Sequence, residues 1–531
     1  MTEILLFIAV ITIICTLSSR VSHHFGIPSL LLFIALGMIF GSDGIFRIDF
    51  ADFHLTEQIS TIALIFIMFY GGFCMNWKVV KPVAFKAGLL SSVGIISTCV
   101  LVGFFAHLFL GLGIEGYLIG AVLASTDAAS VFSILRMKKL NLHSGIAPLL
   151  EMESGSNDPF AYMMTILILN LMAPSGISLP YLMIAQLSLG IGCGFLIGWL
   201  GSMIFQKLRF KDTGMQIILL AGIAVLAYAL PSKFSGNGFL SVYIAAIIIG
   251  NHAMDHKVEV VAFFDSISSM MQICLFFLLG FLAFPSQILD ILFPALIIFL
   301  ILTLIARPLS VALIMTPFRV PLKEQLFISW CGLRGAASIV FAILTVVSPA
   351  YMDNDIFHIV FFVSLLSITL QGTLLPHMAK LLDVKDENNN TLLTFNDYRN
   401  ENSPALLSIP IARDHPWVEK QLKDITMPSG VLAVMIRRCS ARILPEGTTL
   451  LHPNDQLILV SPIFYDDTEI PLEEILIDAQ HPWLQKQLQE INGKNRFLVL
   501  MIKRNKESIV PQGDTMIQLN DRLVVCQKDL L

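Results

Sequence analysis

The chain has little charge and no cysteine pattern. Of its 531 residues only 14% are charged, whereas 55% are apolar, and the formal net charge is −5. A charge balance so close to neutral gives no electrostatic case for nucleic-acid binding. The eight cysteines are scattered without any Cys-x-x-Cys pair. The sequence therefore predicts neither a disulfide framework nor a cysteine metal site.

The first apolar run lacks the features of a secretory signal. ILLFIAVITIICTLSS has no basic segment before it and no cleavage site of small residues, which predicts a retained helix. Apolar runs continue to about residue 382, and charges become dense after it. This asymmetry predicts an all-α polytopic membrane domain over residues 1–384, followed by a soluble tail.

Thirteen apolar segments are candidates for membrane spans, because a spanning helix needs roughly 20 residues. They are 3–20, 27–42, 58–76, 83–110, 116–136, 148–173, 180–205, 214–231, 237–251, 260–284, 287–316, 325–348 and 354–382. With the N-terminus outside, the predicted cytoplasmic loops hold twelve Lys and Arg residues and the outer loops hold two. The positive-inside rule therefore predicts thirteen spans and a cytoplasmic tail.

The tail contains an internal repeat. HPWVEKQLKDI recurs as HPWLQKQLQEI, and VLAVMIRR recurs as FLVLMIKR, both at an offset of 66 residues. Each unit has alternating strands, a short helix and Pro-x-Gly and Asn-Asp turns. We expect an Asn-rich linker over 385–403 and two small α+β cytoplasmic domains over 404–466 and 467–531.

Two stretches place acids inside predicted spans. ESGSNDP contains Glu153 and Asp158, and the preceding span contains STDAAS with Asp127. An ionised acid near the bilayer centre costs about 2.5–3.5 kcal/mol by insertion scales, so each is expected to face a cavity or a partner. We interpret Glu151 and Asp265, nearer to span ends, as solvated groups. Pro159 predicts a distorted helix, because it cannot donate a backbone hydrogen bond.

Two arginines are the expected partners of these acids. Arg307 precedes a proline in an apolar run, and Arg334 lies between two glycines in CGLRGAAS. An arginine between glycines within a span favours broken helix at that point. Either arginine could act at a functional site or only hold helices together.

These motifs carry a resemblance. ESGSNDP, with STDAAS before it and GLRGAAS after it, resembles the cation:proton antiporter superfamily, sodium/proton exchanger-like branch, over about residues 1–385. The string ESGSNDP is similar to bacterial potassium/proton antiporters with cytoplasmic ligand-sensing tails. The tail repeats resemble the TrkA-C domain, the C-terminal module of RCK proteins. The usual small residue after Asp158 is replaced by Pro159, and no Gly-x-Gly-x-x-Gly follows residue 385.

The resemblance implies a homodimer in which each protomer has inverted repeats and two crossed, unwound helices, broken at 125–128 and 332–335. It also implies roles for individual residues. The cation and proton would bind at Asp158, Asn157, Ser154 and Thr126, with backbone oxygens completing the cation shell; supporting charge pairs would be Glu153 with Arg307 and Asp127 with Arg334.

The sequence therefore predicts a transporter and not an enzyme. The expected activity is electroneutral exchange of one potassium ion for one proton, implied by Asn157 where electrogenic relatives have a second Asp. A sodium/proton antiporter and a tail-gated cation channel are the alternatives. No cofactor is expected, although a small regulatory ligand such as a cyclic dinucleotide remains open for the tail. The expected location is the bacterial inner membrane, among lipid, with no nucleic-acid partner.

Overall fold

The computed structural model consists of two compact units, Met1–Tyr398 and Arg399–Leu531. In the first unit it describes residues 2–385, apart from 26–28, 139, 141, 143–144, 175, 208–211, 253, 255 and 351. In the second unit it describes 405–527, apart from 412–414, 416, 426, 428–430, 439–440, 462–471, 479–480, 493–496, 505–506, 510 and 512. The predicted linker therefore lies almost wholly outside the described residues.

The first unit is helical. Its helices in chain order are α1 Thr2–Phe25, α2 Ser29–Phe40, α3 Phe53–Cys74, α4 Trp77–Val80, α5 Ala84–Leu110, α6 Ile114–Val122, α7 Ala128–Met137, α8 Ile146–Met172, α9 Leu179–Lys207, α10 Thr213–Ser232, α11 Gly238–Gly250, α12 Lys257–Leu282, α13 Ile288–Ile301, α14 Arg307–Met315, α15 Leu322–Trp330, α16 Ala336–Val347, α17 Ile356–Leu366 and α18 Gly372–Leu381. Single π-helical turns, Leu302–Ala306 and Ser367–Gln371, join α13 to α14 and α17 to α18.

Every predicted apolar segment overlaps at least one of these helices. Among the described residues, seven helical stretches are long and apolar enough to cross a bilayer. They are Phe53–Cys74, Ala84–Leu110, Leu179–Lys207, Thr213–Ser232, Lys257–Leu282, Ile291–Phe318 and Ile356–Leu381. The fold is thus a helical membrane domain.

Two of the predicted spans are interrupted near their middle. The segment between α6 and α7 leaves the helix at residues 123–127, and the segment between α15 and α16 does so at 331–335. The two breaks touch, because the Asp127 N–H donates to the Leu333 carbonyl at 2.8 Å. Small residues at both breaks allow this approach: a Cβ on Gly335 would lie 2.5 Å from the Asp127 side chain.

The tail consists of two four-stranded antiparallel sheets with the same topology. Their strands are β1 Ala405–Pro410, β2 Leu432–Arg438, β3 Ala441–Ile443, β4 Gln456–Ser461, β5 Leu472–Leu476, β6 Phe497–Arg504, β7 Glu507–Ile509 and β8 Arg522–Gln527. The strand orders are β1-β4-β2-β3 and β5-β8-β6-β7. The second module has a short helix, α19 Leu488–Asn492, where the first has only a 3₁₀ turn.

The repeat extends to details that sequence alone does not show. Both sheets carry an irregularity at the same place, between Ala433 and Met435 and between Val499 and Met501. In the first module, Arg438 donates two hydrogen bonds of 2.8 Å to the buried carboxylate of Asp455. The second module repeats this fork between Arg504 and Asp521, at 2.8 and 2.7 Å.

Candidate functional site

Asp158 lies near the middle of α8 and faces a cavity of about 370 Å³. The first break contributes Ser125, Thr126 and Asp127 to the cavity wall, and the second contributes Gly335. The structure therefore brings the two motifs that the sequence singled out, ESGSNDP and STDAAS, to one site.

The carboxylate of Asp158 accepts a hydrogen bond from the Ser125 hydroxyl. Ser125 is itself buried, at 1% exposure. A hydroxyl donor favours the ionised form of a carboxylate, whereas burial favours the neutral form. At Asp158 the hydroxyl donor and burial therefore act in opposite directions. Sequence reasoning placed Ser125 in the break but gave it no part in the site.

Thr126, Ser154 and Asn157 surround Asp158 but are bonded to one another. The Asn157 amide nitrogen donates to the Thr126 hydroxyl at 2.5 Å. The Ser154 hydroxyl donates to the Thr126 carbonyl at 2.7 Å and accepts from the Ala128 N–H at 2.9 Å. These bonds fasten α8 to the first break. The hydroxyl and carbonyl oxygens of this set are of the kind that bind hard cations, whereas the Asn157 amide nitrogen is a hydrogen-bond donor and not a cation ligand.

Among the described residues, only one of the two polar atoms of the Asn157 side chain has a hydrogen-bond partner. Its amide oxygen is buried without a hydrogen-bond partner, while its nitrogen is used by Thr126. Asn157 is not among the residues that line the cavity, and its side chain contacts Thr126 of the first break. Its observed contact is with Thr126 and holds the site together from behind.

Glu153 and Arg307 form a buried ion pair between α8 and α14. Their side chains are 2% and 5% exposed. The arginine reaches this position across Gly332, where a Cβ would lie 3.0 Å from the guanidinium Nε. The pairing expected from the resemblance is thus a direct contact in the structure.

The expected balance between Asp127 and Arg334 is not a direct pair. The Arg334 guanidinium donates to the carbonyls of Ala124 and Ser125, at 2.9 and 2.8 Å. Asp127 accepts from Ser130, through the N–H at 3.2 Å and the hydroxyl at 2.5 Å. Among the described residues, no ion pair joins the two charges.

The physical reason is that each charge neutralises helix ends. Arg334 lies at the C-terminal end of α6, where unpaired carbonyls carry partial negative charge. Asp127 lies at the N-terminal end of α7 and packs against Gly335, which precedes α16. Both N-terminal ends carry partial positive charge. The carbonyls of Ala124 and Ser125 thus accept hydrogen bonds from Arg334 in this structure.

The cavity extends to one end of the helical unit. Its wall includes Glu151 near the start of α8 and Asp265 near the start of α12. The Tyr70 hydroxyl, which also lines the cavity, donates to Asp265 at 3.0 Å. The interpretation of these acids as solvated groups at helix ends missed their position on the same cavity as Asp158.

Pro159 does not interrupt α8. The helix continues from Ile146 to Met172, so the distortion expected at the proline is not a break. The Pro159 carbonyl accepts a hydrogen bond from Asn237 at 2.7 Å, which ties α8 to the start of α11. On the adjoining turn, Gly155 leaves room for the Tyr243 ring, since a Cβ there would lie 2.5 Å from the phenol oxygen. Neighbouring helices therefore support the proline-containing turn.

Comparison with known proteins agrees with this architecture. The family model described as "Sodium/hydrogen exchanger, transmembrane" matches residues 8–381, and the TrkA-C domain model matches 406–463 and 472–529. The chain is 31% identical over 463 residues to the K(+)/H(+) antiporter NhaP of Alkalimonas amylolytica, covering 86% of this chain and 80% of that protein. It is also 31% identical over 461 residues to the K(+)/H(+) antiporter NhaP2 of Shewanella sp. (strain ANA-3), covering 85% and 80%.

The fold is also known from a solved structure. The sodium proton antiporter MjNhaP1 from Methanocaldococcus jannaschii, at pH 8, matches 72% of this chain and 99% of its own with a TM-score of 0.64. At 24% identity this likeness concerns the fold alone.

Proposed function

The chain belongs to the transmembrane sodium/hydrogen exchanger family, and we propose that it is a secondary active antiporter that exchanges a monovalent cation, potassium, for a proton. The observation that carries the proposal is the position of Asp158. Its carboxylate lies at the cavity wall, accepts from the Ser125 hydroxyl and is near the two contacting helix breaks.

Asp158 performs the exchange because it holds one positive charge at a time. In a site of low dielectric an isolated carboxylate is costly, so either a proton or a cation must neutralise it. Thr126 and Ser154 support the position of the break, and Ser125 donates to the carboxylate when the proton has left. Glu153 with Arg307, and the helix-end charges Asp127 and Arg334, keep the surrounding framework neutral.

The proposed architecture has thirteen spans and inverted repeats with crossed breaks. Support comes from the overlap of each predicted segment with one or two observed helices and from the contact between the two breaks. Residues near the starts of α2, α8 and α12 and the end of α3 line the cavity. In the orientation predicted by loop charges these helix ends face the cytoplasm, so the cavity opens toward the cytoplasm. We therefore assign the structure to an inward-facing state.

Potassium is the preferred substrate in this proposal. The support is the naming of two relatives as K(+)/H(+) antiporters over most of this chain's length. Electroneutral one-for-one exchange rests on Asn157, which adds no second carboxylate beside Asp158. Sodium remains the alternative substrate, because the oxygen donors at the site do not by themselves select an ionic radius.

The remaining expectations belong to the same proposal. We assign the transport domain to 1–384, the linker to 385–403 and the TrkA-C domains to 404–466 and 467–531, in a homodimer of the bacterial inner membrane with its N-terminus outside. The tail regulates exchange, with a cyclic dinucleotide or another small ligand as a candidate effector. No cofactor and no enzymatic activity form part of the proposal.

Reconstituted protein tests the activity directly. In liposomes containing a pH dye, K⁺ added outside should enter in exchange for protons that leave the lumen, so the luminal pH should rise. The response to K⁺ should exceed that to Na⁺. A solid-supported-membrane recording of the same liposomes should show no transport current. A K⁺ conductance independent of ΔpH would identify a channel, and a stronger Na⁺ response would replace potassium by sodium.

A further inference from the structure

A buried histidine lies at the end of the helical unit opposite the Asp158 cavity. His358 is in the first turn of α17 and its side chain is 4% exposed. Its ring packs between Phe357 and Phe284, with centroid separations of 4.9 and 5.5 Å. Phe284 belongs to the connection 283–287 between α12 and α13, so the histidine joins two parts of the chain that are distant in sequence.

The hydrogen bonds of His358 fix its protonation state. The Phe284 N–H donates to Nε2 at 3.1 Å. A backbone N–H can only donate, so Nε2 must carry a lone pair. The proton of the neutral ring is then on Nδ1, which donates to the Asp355 carboxylate at 2.6 Å. The structure therefore contains one defined neutral tautomer.

Protonation would break one of these bonds and keep the other. A doubly protonated ring has two N–H donors and no acceptor. Nδ1 would still donate to Asp355, now within an ion pair, but Nε2–H would point at the Phe284 N–H. The contact between α17 and the connection 283–287 would change from attractive to repulsive.

The other end of the connection is held by a carboxylate. Asp43, between α2 and α3, accepts from the Ser286 N–H at 3.0 Å and from the Ser286 hydroxyl. These two bonds lower the pKa of Asp43. Burial raises the pKa of Asp355, but the hydrogen bonds from the His358 ring and N–H outweigh it and the net shift is downward. Both acids therefore stay ionised near neutral pH, and the lone pair on Nε2 of the neutral imidazole is the position in this cluster that can accept a proton.

Elements packed around α17 contribute one further acid and one hydroxyl to this region. From α6, Glu115 accepts from the Asp353 N–H and the Asn354 side chain, each at 2.6 Å, and so holds the segment before α17. α16 contributes Thr345, whose hydroxyl donates to its own helix at 2.6 Å. In the part of the chain that the structure describes, the charges facing this region are thus all acidic.

The connection 283–287 lies beside a cavity of about 390 Å³. Its wall includes Phe284, Gln287, Thr345, Asn354, Asp355 and His358. We propose that His358 is a proton-operated latch: the neutral ring holds the connection 283–287 beside this cavity, and the protonated ring releases it. In the orientation proposed above this face is external, so the latch responds to acid outside the cell. The side of the membrane rests on the proposed function, whereas the latch itself does not.

Hydrogen–deuterium exchange of the full chain in detergent tests the latch. After correction for the pH dependence of chemical exchange, protection of the peptide covering 283–287 should fall about tenfold from pH 8 to pH 5, as expected for loss of a buried hydrogen bond. In His358→Gln, whose amide can accept from Phe284 and donate to Asp355, protection should be equal at both pH values. Equal protection in the unsubstituted chain, or pH-dependent protection in His358→Gln, would overturn the proposal.

Three further variants separate the latch from other causes. His54→Gln removes an exposed imidazole near the start of α3 and should keep the full pH response. Asp43→Asn should lower protection at pH 8 and still respond to pH. Asp158→Asn should respond like the unsubstituted chain, since no cation gradient is present; loss of the response there would assign it to the transport site and refute the latch. These three variants still test the latch if His358→Gln does not fold.

Discussion

At the residue scale, four buried or intramembrane charges near the cavity are each matched by a contact. Glu153 and Arg307 neutralise each other, whereas Asp127 and Arg334 neutralise helix ends. Asp158 has only the Ser125 hydroxyl among its described hydrogen bonds. This difference separates the acids that hold the fold from the acid that can exchange its charge.

The buried pair gives a prediction about stability. Glu153→Gln leaves the Arg307 guanidinium buried without a counter-charge, which should destabilise the protein by about 3–5 kcal/mol. The measurement is the midpoint of thermal unfolding in detergent, read by loss of the monodisperse peak. Glu259→Gln is the matched control, because its partner contact with His256 is exposed and such pairs contribute about 0–1 kcal/mol. Equal midpoints for both variants would show that the Glu153 pair does not support the fold.

The sequence located the charged residues of the site but not all of its polar ones. A carboxylate or guanidinium within an apolar run is expensive, so its presence predicts a partner or a cavity. A serine costs little there, so nothing marked Ser125 as the donor to Asp158. Glu151 and Asp265 were missed because hydropathy leaves the ends of spans uncertain and cannot show which ends share a cavity.

At the element scale, the site depends on the two helix breaks remaining in contact. Glycines and other small residues predicted both breaks, because they permit non-helical backbone and close approach. The group that Arg334 contacts was not predictable, since a guanidinium can neutralise either a carboxylate or the C-terminal end of a helix. The continuity of α8 through Pro159 also depends on support from neighbouring helices, which local sequence does not contain.

The contact between breaks can be tested by adding one methyl group. Gly335→Ala places a Cβ 2.5 Å from Asp127, so one break must move, at an expected cost of about 1–3 kcal/mol and with loss of exchange. Gly222→Ala in α10 has open space within 4 Å and should leave both properties unchanged. Both variants are measured by unfolding midpoint and by K⁺-dependent proton movement in liposomes. Normal exchange in Gly335→Ala would mean that the close approach is not needed.

The Arg438–Asp455 fork in the tail gives a pH prediction. Burial raises the pKa of Asp455, but hydrogen bonds from Arg438 and the His452 N–H outweigh it and lower the pKa overall. The stabilisation is therefore complete above the unfolded value of about 3.9 and is lost as pH falls through the lower folded value. Hydrogen exchange of the β2 peptide in the full chain should accelerate below about pH 4.

Variants identify the group responsible for this loss. Asp455→Asn should weaken the first module by about 1–3 kcal/mol at pH 7, since it removes an ionised acceptor from Arg438. The same variant should show a smaller further loss on acidification. Asp424→Asn changes an exposed acid of the same module and should behave like the unsubstituted chain. An unchanged acid response in Asp455→Asn would assign the effect to other carboxylates.

At the scale of the whole molecule, the chain combines a transport domain with a duplicated cytoplasmic module. The offset of 66 residues predicted the duplication, and the equal strand orders and matching arginine forks follow from it. The membrane part was predictable because spans require long apolar runs. Its cavity was not, because a cavity depends on how distant helices pack.

The central claim is that a cation and a proton compete for Asp158. Adding K⁺ to the detergent-solubilised chain in weakly buffered solution should release about one proton per chain, through linkage at a single shared site. Asp158→Asn should release none, while the control Glu259→Gln should release as much as the unsubstituted chain. Proton release from Asp158→Asn equal to that of the unsubstituted chain would contradict the account.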